Sequence, residues 1–257
     1  MDQVQWAVAI GRIDITTAVV TLSSFRPAPR VGHMARVKRL YGYISKMRNA
    51  AIRFRTDEPD YSDLPNMQHD WSETVYGESQ EEVPEDAPEP LGKYVTLTHY
   101  VDANLMHDIN TGKSLTGIIH LLNKTPIDWY SKKQATVETA TYGSEFVAAR
   151  TCVEQIMDLR LTLRYLGVPI RGSSYMFGDN KSVVDSGSLP DARLTKRHTL
   201  LSFHRVRQAV ASAILEFHFI PGDINPADIL SKHWSFQQVR QQLKALLFWP
   251  FDTATIE

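Results

Sequence analysis

Residues 94–103 read YVTLTHYVDA. Branched and aromatic side chains alternate with polar ones there, the period-two signature of a strand with one face buried. TGIIHLLN (116–123) and PIDWYSK (126–132) continue in the same texture, joined by short turns around Gly112 and around Asn123 and Lys124. Residues 141–166 then switch to the period of a long amphipathic helix, closed by Gly167 and Pro169. SYMFGD (174–179) predicts a fourth strand, 180–187 a short helix, 195–213 a longer one and ILEFHFIP (214–221) a fifth strand. A final helical stretch begins near Asn225, with Pro226 suited to a first helical turn. The succession β-β-β-α-β-α-β-α predicts an α/β fold. Three antiparallel strands followed by α-linked parallel ones make a mixed five-stranded sheet flanked by helices.

Upstream the pattern is helical. Val4, Val8, Ile15, Val19 and Leu22 recur at helical spacing over residues 2–25, with Gly11 as a weak point. Met34, Val37, Leu40, Tyr41 and Ile44 repeat it over 33–48, and Pro27 and Pro29 separate the two runs. This predicts a small all-helical segment over residues 1–56. Residues 57–90 hold 12 of the 29 acidic residues and none of the 28 lysines and arginines, which leaves the rest of the chain at a formal +11. A basic body of this kind either attracts phosphate backbones or carries its charges solvated. The stretch 77–90 is rich in Glu and Pro and has little to bury, so it reads as a linker. The expected division is a helical segment (1–56), an acidic linker (57–92) and an α/β domain (93–257).

With 257 residues, 43% of them hydrophobic and 22% charged, wholesale disorder and fibrous classes are excluded. No apolar run reaches the roughly 18 residues of a membrane span. The opening MDQVQWAVAIGRID lacks the basic region of a secretory signal. The single cysteine, Cys152, excludes an intramolecular disulfide framework and a Cys-rich zinc site. An intracellular, reducing compartment is the simplest reading, and Cys152 itself reads as a buried helix residue.

Four carboxylates stand out by position. Asp102 is expected to end the first strand and Asp179 the fourth. Glu145 falls in the first turns of the long helix, and Asp228 in the first turn of the last one. Strand ends are where active residues gather in α/β sheets, and all four can meet at one sheet edge. Clustered carboxylates repel and need cations. Hard oxygen ligands without thiolates favour Mg²⁺ or Mn²⁺.

From Tyr100 to His233 the chain resembles the RNase H domain of Ty/copia-type retrotransposon polyproteins. The stretches that carry the resemblance are YVDAN (100–104), WYSKKQATVETATYGSEFVAAR (129–150), FGDNKSVV (177–184), TKRH (195–198) and HFIPGDINPADILSK (218–232). The family's usual forms are YSDAD, WKSKKQ followed by STAEAEY, CDNQS, TKH and ADILTK. Its metal-binding carboxylates map onto Asp102, Glu145, Asp179 and Asp228, the same four. Residues 3–50 resemble the tail of the reverse transcriptase that precedes RNase H in these polyproteins. The polymerase's Tyr-x-Asp-Asp signature is absent, so the resemblance implies a C-terminal fragment of a longer polyprotein or a truncated copy.

There are departures. Asn104 stands where the family often has Asp, and Gly143 where it often has Glu. The loop PGDINPAD lacks the His that cellular RNases H carry before the last Asp, and neither His198 nor His218 is assigned a catalytic role. Ser131, Lys132, Lys133 and Gln134 read either as contacts to a nucleic acid backbone or as a solvated turn.

The resemblance implies metal-dependent endonucleolytic hydrolysis of the RNA strand of RNA–DNA hybrids. Asp102 would bridge two ions, Glu145 and Asp179 would complete one side, and Asp228 the other. Implied partners are the RNA–DNA hybrid and the remainder of the Pol polyprotein. A retroviral-type integrase shares the sheet but carries its last carboxylate on a late helix and none on the first. The alternative from another class is a catalytically silent, element-derived scaffold that binds nucleic acid.

Overall fold

A computed structural model describes residues 2–77, 79–194 and 196–248. Thr195, at the start of the helix expected over 195–213, and residues 249–257, at the end of the expected 93–257 domain, lie outside the described residues. So does Glu78 of the acidic stretch.

The chain runs α1 (Asp2–Ala9), α2 (Thr16–Ser23), α3 (Val31–Lys46), β1 (Ala51–Ile52), β2 (Leu97–Asp108), β3 (Lys113–Leu122), β4 (Thr125–Lys133) and α4 (Thr141–Tyr165). It continues through β5 (Ser174–Gly178), α5 (Lys181–Ser188), α6 (Leu200–Ala211), β6 (Leu215–Phe219), α7 (Asp228–Ser231), α8 (Phe236–Leu243) and β7 (Leu247–Phe248). The main sheet has the order β4-β3-β2-β5-β6. β2, β3 and β4 pair antiparallel, while β5 lies parallel to β2 and β6 parallel to β5. The mixed five-stranded sheet flanked by helices is therefore realised in the expected chain order.

β3 is buried along nearly its whole length, which is why its sequence is a near-continuous apolar run and not a clean alternation. Successive residues face opposite cores: Ile118 joins the cluster built on Phe146, Ile156, Met176, Val206 and Phe217, and Ile119 joins Ile229, Leu230, Leu243 and Leu247. Helices α4 to α6 cover the first face. The second face is closed by α7 and α8 together with Ile13, Met47 and Ala50 of the N-terminal segment. Leu40 of α3 closes a third cluster with Val4, Ile15 and Val19.

Four expectations need correction. The apolar run over 2–25 is broken into α1, a single 3₁₀ turn (Ile13–Ile15) and α2, because Gly11 takes a φ of +138° that ends α1. The N-terminal segment is not all helical, since Ala51 pairs with Phe248 and Ile52 with Leu247. The last helix is two, α7 and α8, with Ser235 capping the second by accepting from the Gln238 amide. Asp102 does not end its strand. β2 runs six residues further, paired with β3 as far as Asn104 and again at Asp108. It is the parallel neighbour β5 that stops there, opposite Val101, so Asp102 still lies beside the end of a parallel strand.

Within the acidic stretch, Trp71 and Tyr76 are buried in the main core. The Arg207 guanidinium lies over both rings and donates to the carbonyls of Ser186, Leu189 and Pro190. Glu81 accepts from Arg160 and Arg164 of α4. Most residues between 82 and 90 are exposed.

Candidate metal centre

Asp102 sits on β2 facing Gly117 across the ladder. Glu145 is the fifth residue of α4, and Asp179 directly follows β5. One carboxylate oxygen from each of the three lies within 4.8 Å of the other two. The start of α4 is fixed by Gln134, whose buried amide donates to Thr116 Oγ1 (3.0 Å) and to the Ser144 carbonyl (2.8 Å). Of the four residues 131–134, Ser131 donates to the Leu230 carbonyl and Lys133 to Asp108. Only Lys132 is exposed.

Asp228 arrives from the other side of the sheet. Asn225 donates to the Val101 carbonyl at 3.0 Å and accepts from the Ala227 amide, which docks the loop on β2. Asn104 donates to the Ser231 carbonyl at 3.1 Å, and Ser231 Oγ donates to Asp102 Oδ2. Lys232 Nζ then lies 3.2 Å from Asp102 Oδ1 and 2.5 Å from Asp228 Oδ1. Asp228 is thus joined to the other carboxylates through a lysine.

Electrostatics follow from burial and crowding. Burial, then the charges of Asp102 and Asp179, hold the Glu145 carboxyl well above the ordinary range, against the pull of Lys232 and the Ala103 amide. Burial and Asp102 also raise Asp179 and push Asp228 up to about 7. Burial lowers the Lys232 ammonium, but Asp102 and Asp228 together outweigh it and leave its pKa above the usual lysine value. Carboxylates that resist ionising because they are buried and crowded together, with oxygen donors in the cluster, fit a hard divalent cation.

The sequence pattern points to the four carboxylates and not to Lys232, Ser231, Asn225 and Gly117, which place them. Lys232 closes the ADILSK stretch (227–232), and its spacing of four from Asp228 is the available signal. His218 is buried, 3.2 Å from Glu216. His198 lies 3.2 Å from Glu138, on the turn before α6. Cys152 is fully buried and its thiol is pushed up by that burial. Among the described residues no helix is long and apolar enough to cross a membrane.

No family model matches the chain. It is 29% identical over 136 residues to the Retrovirus-related Pol polyprotein from transposon TNT 1-94 of Nicotiana tabacum, a match that covers 53% of this chain and 10% of that protein. It is 23% identical over 224 residues to the Retrovirus-related Pol polyprotein from transposon RE1 of Arabidopsis thaliana, covering 87% of this chain and 13% of that protein. The chain thus spans about a tenth of the length of these relatives. Among solved structures, the N-terminal RNase H domain of a Mycobacterium tuberculosis protein aligns over 59% of this chain and 98% of its own, with a TM-score of 0.40 and 16% identity. In sequence the chain is similar to part of the retrovirus-related Pol polyproteins of plant transposons, and it folds as an α/β domain on a mixed five-stranded sheet.

Proposed function

We propose that this chain is a ribonuclease H that cleaves the RNA strand of RNA–DNA hybrids endonucleolytically, using Mg²⁺ or Mn²⁺, as part of a Ty/copia-type retrotransposon polyprotein. The observation that carries the reading is the convergence of Asp102, Glu145 and Asp179 within 4.8 Å at the end of β5, with Asp228 brought alongside by α7. Asp102, Glu145, Asp179 and Asp228 are the catalytic and metal-holding residues of this reading. Divalent cations held there would activate a water and offset charge on the leaving 3′ oxygen. The chain's own part is to hold four carboxylates in a largely buried, low-dielectric site, so that little reorganisation remains when the phosphate arrives.

Residues 1–56 correspond in this reading to the end of a reverse transcriptase, 57–92 to a tether and 93–257 to the nuclease domain. The working partners are the hybrid and the rest of the polyprotein, within the cell or a virus-like particle. Phosphate contacts make binding weaken with salt.

A catalytically silent binding fragment is the second reading, favoured by one observation: the Lys232 ammonium already lies between Asp102 and Asp228. Incubating the purified chain with a labelled hybrid, and with single-stranded RNA as control, separates the two. Mg²⁺-dependent cuts confined to the hybrid's RNA strand support the nuclease. Hybrid binding without cleavage in Mg²⁺ or Mn²⁺ leaves the silent fragment.

A further inference from the structure

The carboxylate cluster contains a cation of the chain's own. Lys232 directly follows α7, and its amide donates to the Asp228 carbonyl at 2.8 Å, so its backbone is fixed. Its Nζ touches Asp102 and Asp228, whose side chains are 1% and 6% exposed, while its own side chain is 34% exposed. Asp102, Glu145 and Asp179 form one half of the cluster, lined by oxygen. The other half, between Asp102 and Asp228, is filled by the ammonium.

An ammonium and a divalent ion at hydrogen-bonding distance from the same two carboxylates repel each other strongly where water is scarce. Either can neutralise the pair, and both cannot do so together. The lysine stem has a route out, because a third of the side chain is already in solvent. Its departure moves no proton: the ammonium stays charged and exchanges carboxylate partners for water.

Resting on the reading of the site as a metal-dependent nuclease, we infer that Lys232 is a tethered counter-ion holding the place of a second cation. The chain takes up one divalent ion on Asp102, Glu145 and Asp179. It admits another between Asp102 and Asp228 only as the Lys232 ammonium withdraws. The lysine thereby keeps the metal-free cluster assembled and makes the second ion the weaker one.

The test counts Mn²⁺ ions on the full chain by calorimetry and by the paramagnetic signal of free Mn²⁺, for wild type, Lys232→Met and Lys232→Arg. Wild type should bind one ion tightly and one weakly. Lys232→Met should tighten the weak site by about tenfold or more and leave the tight site within about threefold, because one competing charge is gone. Lys232→Arg keeps the charge and should follow wild type. An unchanged or weakened second site in Lys232→Met overturns the inference, since a merely structural lysine would disorganise the cluster when lost. If wild type binds no Mn²⁺ at all, the nuclease reading falls and this inference with it. Should Lys232→Met fail to fold, wild type itself answers. Acetylation of Lys232, read by peptide mass, should be slow in EDTA and with one ion bound. It should rise by about fivefold or more as the second ion enters. A flat or falling rate overturns the inference.

Discussion

A methyl group on Gly117 would lie 2.7 Å from the carbonyl oxygen of Ala227. It would also meet Leu230 Cβ at 2.9 Å. Gly117 faces Asp102 across the ladder, and Ala227 precedes Asp228. The bare backbone at 117 is what lets α7 settle on the sheet with its carboxylate beside the others. Gly117→Ala should lift α7, cost about 1–3 kcal/mol of stability as overpacking does, and lower hybrid cleavage further than that loss explains. Denaturant melts and cleavage rates on the same preparation check both. An unchanged cleavage rate would mean that the seat of Asp228 does not matter.

Asp179→Asn keeps the side chain's size and removes one of the repelling charges. In EDTA its melting temperature should equal or exceed that of wild type, because the carboxyl is already held above its ordinary range by burial and Asp102. Millimolar Mg²⁺ should stabilise wild type more than the variant. Cleavage should drop by about 100-fold or more, while hybrid binding in Ca²⁺ changes little because the basic contacts are untouched. Equal cleavage by the two proteins would remove Asp179 from the site.

Glu81 gives a pH signature. Burial alone would raise its carboxyl, but Arg160 and Arg164 bring it from an ordinary 4.5 down to about 2. A lowered carboxyl contributes stability that is complete above its unfolded pKa and is lost as pH falls through the folded one. The stability gap between wild type and Glu81→Gln should therefore be constant near neutrality and shrink between about pH 4.5 and pH 2. Limited proteolysis at neutral pH should also open 77–90 sooner in the variant. A gap that does not change with pH would show that the two arginines do not hold this carboxylate in solution.

Trp71 is 7% exposed, edge-on to Tyr76 and beneath the Arg207 guanidinium. Trp71→Ala should cost about 3–5 kcal/mol, the usual loss for a large buried aromatic. A loss near zero in urea melts would mean that the acidic stretch adds nothing to the core.

The carboxylates were legible because each lies beside a strong local pattern: a strand, a strand end, a helix start. Lys232 was not, since a lysine four residues after an aspartate reads as an ordinary surface pair. Only the docking of 225–232 on β2 carries its Nζ to Asp102, 130 residues away. The length of β2 was underestimated because NLMHD (104–108) lacks alternation. β1 and β7 are two residues each, too short for any period to show. In the acidic stretch, composition describes the many charges and hides Trp71 and Tyr76, which pack against Arg207 and, for Tyr76, the His204 ring, both on α6.

Thr17 donates to the Ile229 carbonyl, and Ala51 pairs with Phe248. On a ribosome the N-terminal segment emerges before the sheet, but the apolar surface that Ile13, Met47 and Ala50 share with Leu243, Leu246 and Leu247 has no partner until those residues have been made. Closing a loop of some two hundred residues is slow, and the waiting surface is open to other chains meanwhile. Ile13, Met47 and Ala50 are thus made well before the residues that cover them. Chains cut short before residue 229 should be the ones that aggregate or engage chaperones during synthesis.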